Sequence, residues 1–382
     1  MNIKLFNKID KIGLDHFDDK YTVGEDVTNP DGILVRSANL LEENFNPELL
    51  AIARAGAGVN NIPLDRCAKD GIVVFNTPGA NANAVKELTV CALLLASRKI
   101  IKGANWVKTL EEENFSKVVE KGKSNFAGQE IAGKKLGVIG LGAIGANVAN
   151  IAVDLGMDVY GYDPFISIKA AWSLNRAVKY VTNLNELLSK VDFITIHVPS
   201  TKDTKGFINE EAINLMKDDV KILNFARGDL INEEAVLKGL ESGKIGRYVT
   251  DFGSVKLAAN DNAICLPHLG ASTVESEQNC AVMAVNELRD YLENGNIVNS
   301  VNMPCISENW TTSHRVCIIH ENIPNMLATF TTSIASNKIN IENLSNKARD
   351  NYAYTIIDTN DDVDADFLRK IEGVIKVRVL KK

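Results

Sequence analysis

Residues 135–163 read KLGVIGLGAIGANVANIAVDLGMDVYGYD, and the fold turns on this stretch. The apolar run KLGVI has the composition of a buried strand, and Gly140-Leu-Gly142-Ala-Ile-Gly145 follows it directly. Residues 146–155 then hold no Pro or Gly and suit a helix, and DVYGY at 158–162 suits a second strand ending at Asp163. Strand, glycine turn, helix and strand in this order predict one βαβ unit of a doubly wound sheet. Gly140 permits the tight turn, Gly142 lets backbone approach a pyrophosphate, and Gly145 allows close packing of helix on strand. Ala143 and Ile144 lie within the motif as cofactor-binding candidates, and the N-terminus of the helix that follows receives the anion. The Asp163 carboxylate suits the adenosine ribose hydroxyls and repels a 2′-phosphate, so NAD is expected rather than NADP.

The same alternation extends both ways. Upstream, residues 32–35 (GILV), 50–53 (LAIA) and 71–75 (GIVVF) read as strands, and residues 84–101 as a buried helix joining two domains. Downstream, strands are expected at 193–197, 220–224, 248–251 and 263–266, and a helix at 276–292. The Asn-rich residues 293–304 read as a connection leading out of the body. Residues 316–380 then read strand, helix, strand, strand, helix, strand, a ferredoxin-like βαββαβ unit. The expected fold is therefore α/β, with two doubly wound, Rossmann-like parallel-sheet domains and a small C-terminal domain.

The 382 residues suffice for two or three domains, and 45% hydrophobic with 24% charged residues excludes a disordered or fibrous chain. A net charge of −7 without long like-charge runs disfavours nucleic acid or an anionic membrane as partner, so an anionic substrate needs a local basic pocket. The six cysteines form no C-x-x-C pair, and no His stands at zinc-ligand spacing, so neither a disulfide framework nor a metal site is expected. No signal peptide or spanning segment is read, and the expected location is the cytoplasm.

NFARGDLINEEAVL at 224–237, PHLGAST at 267–273, ARAGAGVNNIPLD at 53–65 and NTPGANANAVKEL at 76–88 carry a resemblance over nearly the whole chain. It resembles the D-isomer-specific 2-hydroxyacid dehydrogenases, in particular their phosphoglycerate-oxidising branch. HENIPNML at 320–327 resembles the start of the ACT regulatory domain of such enzymes. The resemblance implies a substrate-binding domain at 1–100 plus 287–304, an NAD-binding domain at 101–286 and an ACT domain at 312–382. It implies oxidation of 3-phosphoglycerate to 3-phosphohydroxypyruvate, the opening step of serine synthesis.

The chemistry needs a proton donor and a cation, because reduction of a carbonyl leaves charge on oxygen. His268 and Arg227 are the candidates: the imidazole exchanges the hydroxyl proton, and the guanidinium pairs with the substrate carboxylate. The resemblance places Phe225, Ala226, Asp251 and Leu269, Gly270 and Ala271 on the nicotinamide side, with Val198 and Pro199 beneath the cofactor. His197 reads as packing. For the phosphate, the matching positions are Arg36 and Arg54, with the backbone of Ala57, Gly58, Val59 and Asn60. In the tail, His320, Asn322 and Asn340 stand where serine-binding relatives hold their effector, L-serine. Relatives dimerise through the segment matching 103–128 and through ACT domains, so a homodimer or homotetramer is expected.

Three departures stand out. Relatives carry a Glu that steadies the catalytic histidine where this chain has Val255 and Lys256. Ala143 replaces an Arg beside the pyrophosphate, and Asn325 replaces a Gly, a change softened by the tolerance of Asn for a left-handed backbone. The alternatives are a glyoxylate or hydroxypyruvate reductase, which needs no phosphate pocket, and a non-catalytic NADH-sensing protein.

Overall fold

The computed structural model describes residues 1–111 and 113–382; residue 112, within the expected dimerisation segment 103–128, lies outside them. The chain divides into two units, Met1–Asn81 with Val274–Lys382, and Ala82–Thr273.

The first unit is built on five parallel strands, β1 (Asn2–Phe6), β2 (Thr22–Gly24), β3 (Gly32–Val35), β4 (Ala51–Arg54) and β5 (Val73–Phe75), in the order β2-β1-β3-β4-β5. Strand β3 is buried at every position, which is why it reads as an unbroken apolar run. Strand β1, next to it, buries only Ile3 fully and carries no comparable sequence signal. The long helix Val274–Asn294 lays Ala281, Ala284 and Leu288 in one core with Ile3, Leu34 and Ala53.

The C-terminal residues form a four-stranded antiparallel sheet of β13, β14, β15 and β16, once the second unit's seven strands are numbered: His314–Glu321, Asn343–Arg349, Tyr352–Thr359 and Val374–Lys381. Their order, β14-β15-β13-β16, with helices Met326–Ser336 and Asp366–Arg369, is the expected βαββαβ arrangement. Val316 and Ile318 face Phe330 and Ile334, whereas Cys317 and Ile319 enter the core that holds Tyr291 and Leu292. The period of two along β13 thus gives that strand two buried faces.

The end of the long helix shows how firmly the tail is attached. Its last carbonyls have no partners within the helix. Arg378 donates to Tyr291 O (3.1 Å) and Leu292 O (2.7 Å), and Arg315 Nη1 to Asn294 O (2.9 Å). The Tyr354 hydroxyl donates to Gly295 O at 2.6 Å. Arg315 also pairs bidentately with Asp358 at 2.7 and 2.9 Å, both side chains being buried. The tail is therefore part of the first unit, and residues 293–304 do not lead out of the body. They run along β5: Val301 N donates to Val74 O (2.9 Å), and Val74 N donates to the side-chain oxygen of Asn302 (2.8 Å). Asn302 serves as a substitute strand partner, and Ile297 and Met303 are fully buried.

The second unit holds β6 (Lys135–Ile139), β7 (Asp158–Tyr162), β8 (Lys179–Tyr180), β9 (Phe193–Ile196), β10 (Val220–Asn224), β11 (Ile245–Thr250) and β12 (Ala263–Cys265). They are parallel, in the order β12-β11-β10-β9-β6-β7-β8. The direction of winding reverses between β6 and β9, where such sheets bind ligands. The helix Ala82–Ser97 packs Val85 and Leu93 against Leu136 and Val138, so residues 82–100 group here and not with the first unit as the sequence suggested. Likewise the long helix falls to the first unit from residue 274, not 287. The helix expected over 84–101 ends at Ser97, and a separate helix Ile100–Val107 follows. No helix among the described residues is long and apolar enough to cross a membrane.

Candidate functional site

The glycine turn has the geometry a pyrophosphate requires. Gly140 sits at φ +89°, and a Cβ there would meet the His197 carbonyl oxygen at 2.7 Å. A Cβ on Gly145 would stand 1.8 Å from Gly140 O, so helix and strand meet closely there. Nothing lies within 4 Å of a Cβ placed on Gly142, which leaves its backbone open. The helix Ala143–Asp154 begins at Gly142 without a side-chain cap, its first N–H groups being those of Ala143 and Ile144. Asp163 Oδ2 accepts the Leu141 N–H at 2.8 Å, and Oδ1 the Phe165 N–H at 2.9 Å. The acid thus fixes the turn as well as offering its remaining lone pairs.

Val198 and Pro199 follow β9 beside this turn. His197 before them lies 2.9 Å from the Thr195 hydroxyl, and burial pushes its imidazole down to about 3. It is a neutral packing group at physiological pH.

After β10, the Phe225 side chain enters the core with Leu223 and Val249, so only its backbone faces outward with Ala226. Arg227 is exposed and donates to Ala226 O at 2.7 Å. Asp251, at the end of β11, is 3% exposed and accepts the Gly270 N–H on Oδ2 at 2.9 Å. Its Oδ1 is buried without a hydrogen-bond partner. Burial pushes its carboxyl up, opposed by the Gly270 amide, His268 and Arg227. A buried acceptor left unmatched costs about 1–3 kcal/mol, a cost that a bound donor such as a carboxamide N–H removes. An open helix terminus, a glycine cradle and an unmatched acceptor fit a dinucleotide.

His268 is exposed at φ +35°, an unusual conformation for a non-glycine residue. Its N–H donates to Asp251 O at 3.1 Å, and its ring rests against Phe252, centroids 4.7 Å apart. Exposed Leu269 and half-buried Ala271 flank Gly270. Thus His268, Arg227 and Asp251 gather around one loop. Asp261 pairs with Lys102 (3.2 Å) and Glu277 with Arg36 (2.7 Å). Lys256 pairs with Glu234 at 2.7 Å, and Val255 is 89% exposed.

In the first unit, Arg36 follows β3 and Arg54 ends β4, whose last paired residues are Val35 and Arg54. Both arginines therefore stand at the carboxyl ends of adjacent parallel strands. Asn7 accepts the Ser37 and Ala38 N–H groups at 2.9 and 2.6 Å and holds the Arg36 loop, a role no motif announced. The Arg54 guanidinium folds over Gly56, where a Cβ would meet Nη1 at 2.2 Å. Ala57, Gly58 and Val59 are half-buried and Asn60 exposed, with Ala57 O accepting from Asn76 at 2.6 Å.

Each of the three tail residues has hydrogen-bond partners of its own. His320 is 3% exposed, and its two ring nitrogens lie 2.8 Å from Glu321 O and 2.9 Å from the Thr355 hydroxyl. Asn322 donates to Asp350 O, and Asn340 to Glu342. Asn325 adopts φ +74°, the left-handed backbone its substitution for Gly demands.

Residues 90–270 match the family described as D-isomer specific 2-hydroxyacid dehydrogenase, NAD binding domain. Over 375 residues the chain is 31% identical to D-3-phosphoglycerate dehydrogenase of Escherichia coli K12, covering 93% of this chain and 88% of that one. The chain belongs to the D-isomer-specific 2-hydroxyacid dehydrogenase family. A second member, D-3-phosphoglycerate dehydrogenase of Synechocystis, is 37% identical over 283 residues, 72% of this chain and 49% of its own length. The chain spans about half the length of several curated relatives it matches. Among solved structures, the NAD+-bound 3-phosphoglycerate dehydrogenase of Entamoeba histolytica superposes with a TM-score of 0.62 at 27% identity, over 79% of this chain and 98% of that one. Phe252, whose ring touches that of His268, is the candidate-site residue the motifs did not announce. Its aromatic side chain directly after Asp251 is the signal that was available.

Proposed function

We propose that this protein oxidises 3-phosphoglycerate to 3-phosphohydroxypyruvate with NAD. The observation that carries the reading is the gathering of Arg227 and His268 about the buried carboxyl of Asp251, behind a glycine turn fit for a dinucleotide. Bound NAD, held by the glycine turn and Asp163, would supply the acceptor for the hydride from C2. The His268 imidazole takes the hydroxyl proton, and Arg227 pairs with the carboxylate and polarises the carbon–oxygen bond. Asp163 selects NAD over NADP through its charge. Arg36 and Arg54, with the Ala57–Asn60 backbone, receive the phosphate.

The test is an assay of NAD reduction with 3-phosphoglycerate, 2-hydroxyglutarate, glycerate and lactate, with and without L-serine. Turnover with 3-phosphoglycerate that vanishes in Arg227→Ala and His268→Ala supports the reading; no turnover by the intact protein overturns it. Inhibition by L-serine assigns the tail the effector role that its topology and resemblance suggest.

One observation favours a second reading. The 2.7 Å ion pair with Glu277 already neutralises Arg36, which suits a glyoxylate or hydroxypyruvate reductase. In that case Arg36→Ala and Arg54→Ala leave the Michaelis constant almost unchanged, whereas a phosphate site loses roughly 1.5–3 kcal/mol per charged hydrogen bond.

Association is part of the proposal. Helices Ile100–Val107 and Phe115–Gly122 bury no residue, and Ile100, Ile101 and Phe115 are exposed on them. A second copy covering these side chains accounts for the pattern, and light scattering that returns a monomer overturns it.

A further inference from the structure

We propose that Glu287 is a positioning residue for the loop at 56–60, which it holds through Asn299 and Asn76. The inference rests on the reading of that loop as the anion-binding part of the substrate site.

Glu287 lies on the long helix between Ala284 and Leu288, and only 8% of it is exposed. A glutamate so deeply buried is rare without a partner. Its partner is a neutral amide: Asn299 Nδ2 donates to Oε1 at 2.6 Å, while Oε2 is buried without a hydrogen-bond partner. Burial pushes the carboxyl up to about 8, so it is neutral near pH 7, and glutamine is its faithful substitute.

Asn299 is itself at φ +58°, a left-handed conformation that Asn adopts more readily than most residues. The residue stands where the segment after the long helix joins β5. Asn299 O receives the Asn76 N–H at 3.5 Å, Ser300 bridges Phe75 in antiparallel sense, and Val301 N donates to Val74 O at 2.9 Å. The carboxyl therefore holds the end of the clip that fixes where β5 stops and residue 76 begins.

From there the connection reaches the loop directly. The Asn76 side chain donates to Ala57 O at 2.6 Å, and Thr77 N donates to Gly56 O at 3.2 Å. Gly56 is the residue over which the Arg54 guanidinium folds. A buried acid that touches no substrate thus sets the position of a loop and of the arginine beside it.

The test compares the full chain with Glu287→Ala, Glu287→Gln and Asn76→Ala. Hydrogen exchange at residues 56–61 and 76–77 is expected to quicken about tenfold in Glu287→Ala and Asn76→Ala, and to stay near the parent in Glu287→Gln. With 3-phosphoglycerate, KM is expected to rise about tenfold in the two alanine variants, while kcat and KM for NAD stay within about twofold. Unchanged exchange in Asn76→Ala, or a glutamine variant as loose as the alanine variant, overturns the proposal. If Glu287→Ala does not fold, Asn76→Ala and Glu287→Gln still decide it. A parent protein without turnover defeats the proposed function alone, because the exchange measurement needs no activity.

Discussion

The His268 imidazole rests against the Phe252 ring, with centroids 4.7 Å apart and planes tilted by 51°. A ring contact of this kind is worth about 0.5–1.5 kcal/mol and orients the imidazole without charging it. Phe252→Ala is therefore expected to lower kcat by about tenfold, against roughly 10²–10⁴ for His268→Ala. Lys256, drawn to Glu234, plays no part: Lys256→Ala should leave kcat within about twofold and stability within about 1 kcal/mol. Steady-state rates of the three variants check this, and a large loss in Lys256→Ala would place that cation at the imidazole.

Gly145→Ala puts a methyl group where the Gly140 carbonyl oxygen lies, 1.8 Å from it. The helix must back away from the strand, taking its N–H groups from the anion. NADH binding, followed by fluorescence, is expected to weaken at least about tenfold, since each lost charge-assisted bond is worth roughly 1.5–3 kcal/mol. Unaltered binding would remove the helix terminus from the site.

The Glu287 carboxyl gives stability a pH dependence of definite sign. Folded, it keeps its proton up to about 8; unfolded, it releases it near the ordinary 4.5. Its contribution is fully present below the unfolded value and is lost as pH rises through the folded one, with a slope of about 1.4 kcal/mol per unit. Urea unfolding of the parent and Glu287→Gln should show a gap that widens from about pH 5 to 8 and then levels off. A gap independent of pH would mean that the carboxyl titrates in the ordinary range.

Arg315 is the tail's most committed side chain, paired with Asp358 and capping the long helix through Asn294 O. Removing one member of a buried ion pair costs about 3–5 kcal/mol because its partner is left charged. Arg315→Ala should lower the melting temperature of the whole first unit, not just release the tail. A calorimetric scan in which a tail transition separates from an unchanged main transition would contradict the shared core.

Much of the second unit was legible beforehand. Its central strands are buried on both faces and read as apolar runs, and glycine is demanded at 140 by a positive φ and at 145 by the close approach of helix to strand. Strand β1 was not legible, because a five-residue run with one fully buried position has no period to detect. Residues 293–304 were misread for a different reason. Asn side chains are turn formers in isolation, but Asn302 spends its amide as a ladder partner for β5, an arrangement visible only when β5 is beside it.

The sequence by itself determined the βαβ unit around residues 135–163, the preference carried by Asp163, and the pairing of Arg227 with His268 as candidate chemistry. These depend on neighbours within one turn or one motif, where spacing fixes geometry. Only the tertiary structure decided that the Phe252 ring lies against His268, that Arg36 is matched by Glu277, and that strand β13 buries both of its faces. Each of these joins side chains by packing or charge across separate elements, and such contacts leave no period or spacing in the chain.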